Sequence, residues 1–313
     1  MLAVKTLVPG SIIFRRSVRL MGDQFEISVV GNNPHWADDR IDEAIAEINR
    51  VEKLFNTFSD DSAINRINRH AGECPIKIDS EIFRLIERAL QISALTDGAF
   101  DITYNTNEKD CASDVRFTDV VPVIAATPVN YQNVILDPKD QTIFFQEKSM
   151  RISFGAIVSG YAADRAKYIL QMQGVQSGVV NAGGDLIAWG TQPDGAFWTV
   201  ASADPGQKNC PFAHINISNL AFATSANDEK HTAAINNKYP VNINPEKGFP
   251  VSGIKSVHIL SPSAELADAM ATPVMSMGIN AGLYLINQLN QVACIIIDDH
   301  NRLYTSKDVS HAN

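Results

Sequence analysis

Four short segments of this chain carry residue types and spacings suited to ligand chemistry. In Ala267-Asp268-Ala269-Met270-Ala271-Thr272 a carboxylate and a hydroxyl stand at i and i+4, on one face of a helix. Both are hard oxygen donors, and with a carbonyl and phosphate oxygens they would complete the octahedral shell magnesium prefers. The apolar neighbours Met270, Ala271 and Met275 imply partial burial, where an unpaired carboxylate is costly; a plain Asp-Thr contact on a solvated face would use the same pair. From Phe154 through Gly155, Ala156, Ser159 and Gly160 to Tyr161, small residues lead into a helix with Asp164 and Arg165 in its first turns. Such a helix N-terminus attracts anions, although Ser159 also suits an ordinary cap. Asn181-Ala182-Gly183-Gly184-Asp185 ends a strand with paired glycines whose backbone can approach a phosphate, or simply turn between strands. In Thr96-Asp97-Gly98-Ala99-Phe100-Asp101, two aspartates bracket a turn, and Asp101 can accept from a ligand's amino or hydroxyl group or hold an Asx-turn.

The elements that must position these segments read as a mixture of helices and short strands. A strand over Phe25 to Val30 follows a turn at Met21-Gly22, and Ala37 to Phe55 shows helical spacing at Ile41, Ala44, Ile45, Ile48, Val51, Leu54 and Phe55. A second helix runs from Ser80, read as its N-cap, to Leu95, with Thr96-Asp97-Gly98 ending it. Short antiparallel strands are predicted at Asn133 to Leu136, Thr142 to Phe145 and Arg151 to Ser153, and a helix at Tyr161 to Gln173. Further strands are predicted at Gly178 to Asn181, Asp185 to Gly190, Trp198 to Ser202, Ile254 to Leu260 and Ala293 to Asp298, with helices at Leu266 to Met277 and Ala281 to Gln288. Strand clusters with interspersed helices, without strict βαβ alternation, point to an α+β fold.

The 313 residues are 45% hydrophobic and 19% charged, enough for a sizeable core, and no Pro/Gly/Ser-rich or charged linker interrupts them. One chain-wide unit of two packed lobes is expected over residues 21–303, with an extension at 1–20 and a tail at 304–313. The net charge of −9, without clustered Lys and Arg, argues against nucleic acid. An acidic protein can still hold an anion through backbone N–H groups or a bound cation. Cys74, Cys111, Cys210 and Cys294 have neither zinc nor C-x-x-C spacing and do not settle the redox compartment. No apolar run is long enough for a transmembrane helix. The stretch Leu7 to Phe14, broken by Pro9 and Gly10, makes a poor signal-peptide core.

Taken in order, the segments resemble the ApbE family of FAD:protein FMN transferases, from about Met21 to Asp298. Met21-Gly22 looks like the family's Met-Gly-Thr turn, with Asp23 in the threonine's place. Phe55 to Asn68 is similar to its serine-tyrosine segment, with Phe58 in the aromatic position. Thr96 to Thr103 matches Thr-Asp-Gly-Ala-Phe-Asp-Ile-Thr, Gly155 to Arg165 resembles Gly-Ala-Ile-Ala-Lys-Gly-Tyr-Ala-x-Asp, and Asn181 to Asp185 the Gly-Gly-Asp turn. Ala223-Thr224-Ser225 corresponds to Ala-Thr-Ser-Gly and Asp268 to Thr272 to the Asp-Ala-x-x-Thr metal motif. The resemblance implies an antiparallel, T-fold-related scaffold with Mg2+ on Asp268, Thr272 and the Ala156 carbonyl, bridging the pyrophosphate of FAD. It implies FAD contacts from Met21, Phe58, Ala99, Phe100, Asp101, Ser159, Asp164, Gly183, Gly184, Asp185, Thr224 and Ser225. The reaction implied is attack by a Ser or Thr hydroxyl of an acceptor flavoprotein on the FMN phosphorus, with release of AMP, in a periplasmic or membrane-anchored protein.

The family's Ser-His-x-x-Asp-Pro segment reads Pro240-Val241-Asn242-Ile243-Asn244-Pro245 here, so Val241 and Asn244 stand where a histidine and an aspartate would handle protons. Losing general-base assistance costs roughly 10²- to 10⁴-fold. His231 and His258 are alternative bases, each also readable as structural. The competing readings are a FAD-binding paralog without transfer, or one that hydrolyses FAD to FMN and AMP, and a protein whose motifs serve only the fold.

Overall fold

A computed structural model describes residues 10–57, 59, 61–105, 129–204, 207–226 and 253–307. Phe58, Cys111, His231, Val241 and Asn244 lie outside the described residues. Those described fall into two compact units, the first drawn from Met1–Glu52, Ile157–Asn244 and Phe249–Asn313 and the second from Lys53–Ala156. The division has no linker composition to mark it, because the chain passes between the units inside a helix and at a tight turn.

The first unit opens with β1 (Ile12–Leu20), which reverses at Met21-Gly22 into β2 (Asp23–Gly31), all nine positions pairing. Both turn residues have positive φ, 54° and 85°, which matches the right-handed twist of a two-residue hairpin. Ile12–Leu20, set apart above within an extension, form a sheet strand. Its charges, Arg15, Arg16 and Arg19, are those of an edge, which obscured its alternation. Helix α1 (Pro34–Phe55) buries Ala37, Ile41, Ala44, Ile48 and Val51 at helical spacing and carries the chain into the second unit.

The second unit holds α2 (Ala63–Arg69), β3 (Ile76–Lys77), α3 (Ser80–Leu95), β4 (Thr103–Asn105), β5 (Val134–Asp137), β6 (Thr142–Phe145) and β7 (Met150–Ile152). Its strands pair antiparallel, as expected, in the orders β3-β6-β5 and β4-β7. Asp79, not Ser80, caps α3: the Asp79 carboxylate accepts from Glu81 N–H at 2.7 Å, leaving Ser80 in the first turn. Buried Asn68 donates to Ile152 O and accepts from Ile152 N–H at 3.1 and 2.9 Å, tying α2 to β7.

The chain returns to the first unit with α4 (Val158–Met172), β8 (Gly178–Ala182), β9 (Asp185–Trp189), β10 (Trp198–Asp204), β11 (Gln207–Ile217) and β12 (Leu220–Ala226). Then come β13 (Ile254–Ser261), α5 (Ala264–Met277), α6 (Ile279–Ile286), β14 (Ala293–Asp298) and β15 (Leu303–Thr305), the last taking in residues assigned above to a tail. Eight strands form one antiparallel sheet in the order β1-β2-β8-β9-β12-β13-β14-β15. Because strand side chains alternate, the sheet has two distinct faces. One packs against α4 and α5 through Ala223, Val257 and Ile259. The other carries Phe222 and Leu260 and packs with Trp198, Ile215 and Ile217 of the β10-β11 hairpin. The fold is α+β, as the segment pattern implied.

Candidate functional site

The first unit brings together residues of three of the four chemistry-bearing segments, from α4, the β8-β9 turn and α5. Helix α5 starts cleanly because each of its first three amides is satisfied by a side chain. Ala264 N–H donates to Asp164 Oδ1 at 3.0 Å, Glu265 N–H to Asp164 Oδ2 at 2.9 Å and Leu266 N–H to Ser263 Oγ at 3.2 Å. Ser263 Oγ itself donates to Asp164 Oδ2 at 2.8 Å. One turn later, Asp268 Oδ2 accepts from the Gly160 N–H of α4 at 3.2 Å. That is the only hydrogen bond to this carboxylate among the described residues.

Close helix packing makes this geometry possible. A Cβ on Gly160 would lie 2.3 Å from Ala264 O, so only glycine lets α4 approach α5 this closely. Thr272, at i+4 from Asp268, presents Oγ1 3.4 Å from Ser225 Oγ of β12, and Ser225 Oγ also donates to Met275 Sδ at 3.4 Å. Asp268, Thr272 and Ser225 thus gather as oxygen donors where α5 crosses the sheet.

Asp185 joins them from β9. Gly183 and Gly184, with φ of 69° and 119°, form the two-residue turn between β8 and β9, and Gly184 N–H donates to Asn181 Oδ1 at 2.9 Å. Asp185 Oδ1 accepts from Thr224 N–H at 3.1 Å. Asp23, in the place of the family threonine, packs its carboxylate against Gly183, where a Cβ would meet Asp23 Cγ at 3.1 Å. Burial raises the pKa of Asp268 above the usual carboxylate range, and the Asp185 charge adds to it against the Gly160 N–H. Burial likewise raises Asp185, opposed by Thr224 N–H, with the Asp23 charge adding to the rise.

This donor set fits a magnesium ion. Among the described residues no three His, Cys, Asp or Glu converge as a protein-only metal cage. A single half-buried carboxylate with adjacent hydroxyls instead matches an ion that keeps waters and substrate phosphate oxygens in its shell. A cation there would relieve the burial and like-charge cost that raises both carboxyl groups.

Other predicted residues are spent differently. Thr224 and Ser225 are consecutive on β12 and face opposite sides of the sheet. The Thr224 hydroxyl meets His258 Nδ1 at 2.9 Å, so its link to the cluster is its backbone N–H. Asp164 has both oxygens on the start of α5. Ser159, proposed as a cap, is the second residue of α4, whose N-cap is Ile157 without a side-chain bond. Met21 holds the β1-β2 turn.

In the second unit, Ala99 donates its N–H to Thr96 O and Phe100 its N–H to Thr96 Oγ1, both at 3.0 Å. Asp101 accepts from Thr103 N–H and Tyr131 N–H, both at 2.8 Å, and burial raises its pKa against those two donors. Ala156 is an exposed turn residue of this unit, two positions after Phe154, whose ring meets Phe55 edge-on at 5.0 Å. Gly160 as a contact point, Ser263 and Asp23 were missed as site residues. Only Ser263, preceding an apolar helical run, carried a usable signal.

The far face of the sheet, away from Asp268, carries a cavity of about 570 Å³ lined by Arg15, Ser28, Asn181, Trp198, Thr224 and His258, among others. His258 stacks on Phe222 (5.4 Å, 19°), and its Nε2 meets Ser256 Oγ at 3.1 Å. Burial pushes its pKa down to about 4. His258 stands on the opposite side of β13 from the carboxylates, which separates it from the role of a substitute base.

Residues 21–296 match the model of the ApbE family. The chain is 25% identical over 283 residues to a FAD:protein FMN transferase of Klebsiella pneumoniae (strain 342), covering 85% of each chain. It is 26% identical over 303 residues to one from Vibrio cholerae, covering 91% of this chain and 88% of that protein. Its fold is similar to a crystal structure of an ApbE protein of Thermotoga maritima (TM-score 0.78, 22% identity, 96% and 99% covered). It is also similar to the flavin transferase ApbE from Vibrio cholerae (TM-score 0.79, 22% identity, 97% and 100% covered).

Proposed function

The chain belongs to the ApbE family and is an enzyme of the flavin transferase type, and on that premise we propose that it moves FMN from FAD onto a Ser or Thr hydroxyl of a protein acceptor, using Mg2+ and releasing AMP. The observation that carries the reading is the oxygen set of Asp268, Thr272 and Ser225, built around a half-buried carboxylate with one N–H partner. In the reaction, the acceptor oxygen bonds to the FMN phosphorus and the bond from that phosphorus to the bridging oxygen breaks. AMP leaves with the bridging oxygen, and the hydroxyl proton is lost to a base or to solvent. Mg2+, when bound, supplies neutralisation of the pyrophosphate and of the charge developing on the leaving group.

The chain's own residues bind and orient. Asp268 and Thr272 offer hard oxygens from one helix face. Gly160 N–H fixes which carboxylate oxygen stays turned to α4 and which remains for the ion. Gly184 exposes backbone at the β8-β9 turn, where even an added Cβ would meet nothing within 4 Å, so a phosphate can approach there, whereas Gly183 is flanked by the Asp23 carboxylate. The FAD contacts implied for Met21, Phe58, Ala99, Phe100, Asp101 and Ser159, and the Ala156 carbonyl as a metal ligand, are part of the same proposal. So is a periplasmic or membrane-anchored location; among the described residues no helix is long and apolar enough to cross a membrane.

A second reading, FAD hydrolysis or binding without transfer, is favoured by Val241 and Asn244, neither of which takes a proton. One experiment separates the two. The protein is incubated with FAD, Mg2+ and an acceptor domain bearing the family's flavinylation sequence, then assayed for fluorescent acceptor after denaturation and for AMP. Labelled acceptor with stoichiometric AMP supports transfer, and Asp268→Asn should cut that rate by about 10²-fold or more. AMP and FMN without labelled acceptor support hydrolysis. Absence of both at every pH tested sinks the transferase reading.

A further inference from the structure

Asp164 lies in a segment that suits ligand contact, yet its carboxylate already accepts from three donors: Ser263 Oγ, Ala264 N–H and Glu265 N–H, at 2.8, 3.0 and 2.9 Å. A carboxylate has about four acceptor sites, so little capacity remains. All three donors belong to the start of α5, where the helix dipole places its positive end. Gly160 and Asp164 stand at i and i+4 on α4, and Ala264 and Asp268 at i and i+4 on α5. Each pair therefore lies on one face of its helix, and the two faces meet. A Cβ on Gly160 would lie 2.3 Å from Ala264 O and the Gly160 N–H bonds Asp268, while Asp164 binds the amides of Ala264 and Glu265.

We infer that Asp164 is a positioning residue for the metal carboxylate: by clamping the first turn of α5 onto α4, it sets the rotation and height at which Asp268 leaves the helix. This rests on the proposed Mg2+ role of Asp268 and deepens it. The alternative, Asp164 touching FAD directly, would require it to abandon α5 and leave buried helix amides unpaired.

The test uses the full chain with Asp164→Asn, Asp164→Ala and Ser263→Ala. Two properties are measured: hydrogen exchange of amides 264–268 without ligand, and flavin fluorescence on FAD addition with and without titrated Mg2+. In both Asp164 variants exchange at 264–268 should quicken. The Mg2+ midpoint should rise about tenfold, in the range seen when groups behind a metal ligand are removed, and metal-free flavin binding should not change. Ser263→Ala should shift both readouts in the same direction by less, and it carries the test if the Asp164 variants do not fold. A Mg2+ midpoint within roughly twofold of wild type, against the larger shift above, overturns the inference. So does a loss of metal-free flavin binding that matches the loss with metal, because it marks direct contact. If the wild-type chain itself shows no Mg2+-dependent flavin binding, the underlying transferase reading fails instead, and the exchange data distinguish that case.

Discussion

Replacing Gly160 with alanine tests the closeness of α4 and α5 most directly, because two effects predict opposite signs. Helix propensity alone makes Gly→Ala inside a helix favourable by about 1 kcal/mol. The structure predicts the reverse. The new Cβ would sit 2.3 Å from Ala264 O, 2.6 Å from Ala264 C and 2.9 Å from Glu265 N, all backbone atoms that cannot swing aside. Reaching the 3.4 Å of ordinary contact requires the helices to part by about 1.1 Å (3.4 less 2.3). The Gly160 N–H bond to Asp268, already 3.2 Å long, does not survive a separation of that size. Overpacking costs about 1–3 kcal/mol and a lost bond to a charged acceptor about 1.5–3 kcal/mol. After the propensity gain of about 1 kcal/mol, the net loss is about 1.5–5 kcal/mol. Urea unfolding with Ser159→Ala as a control on the same helical turn reads it out, and flavin fluorescence against Mg2+ should show weakened metal dependence. A Gly160→Ala protein at least as stable as wild type, with an unchanged Mg2+ midpoint, would refute the close-packed site.

His258 provides a pH test of the far face. Its folded pKa is pushed below the usual 6.5 to about 4, so its contribution is fully present above pH 6.5 and is lost as pH falls through 4. The shift corresponds to about 3 kcal/mol at most. The wild-type stability advantage over His258→Gln should shrink across that window, and a constant difference would show that His258 is not held neutral by burial. At the near face, burial and Asp185 raise Asp268, so a bound cation must displace a proton. Apparent Mg2+ affinity should therefore climb from about pH 5 to 8; a flat profile in the wild type would argue against Asp268 as a ligand.

Much of the architecture is legible in residue order because the long elements have clear periods. The buried stripes of α1 and α3 and the apolar run of β14 define their own ends to within a few residues. β1 is not legible, because an edge strand bearing three arginines lacks the alternation of a strand buried on one face. The two-unit division is hidden for a related reason: α1 runs across it without a break in composition. At the site, spacing correctly joined Asp268 to Thr272, since i and i+4 is a property of the helix alone. Which face Thr224 or Ser225 takes depends on β12 registering against β13, with Thr224 opposite His258, and that is set by long-range pairing. The contact of Gly160 with Ala264 is likewise invisible in sequence, where a glycine opening a helix looks like a breaker.

Sorting the aspartates by what their oxygens already hold separates scaffold from site. Asp101 binds the backbone amides of Thr103 and of Tyr131, Asp164 holds the start of α5, and Asp298 takes N–H groups from His300 and Arg302 with the Arg302 guanidinium and the Tyr304 hydroxyl. These are closed accounts of charge. Asp268 and Asp185 have one backbone N–H each among the described residues; burial raises the pKa of both, the Asp185 charge adds to the rise of Asp268, and the Asp23 charge to that of Asp185. Two partly compensated carboxylates in a buried setting are unfavourable unless a cation joins them. In the proposed reaction, a cation there would also offset the charge of a pyrophosphate approaching a protein of net charge −9. The same ion would satisfy both requirements, which is why Asp268 is the residue whose loss should abolish metal-dependent flavin binding while the capped helix that carries it still folds.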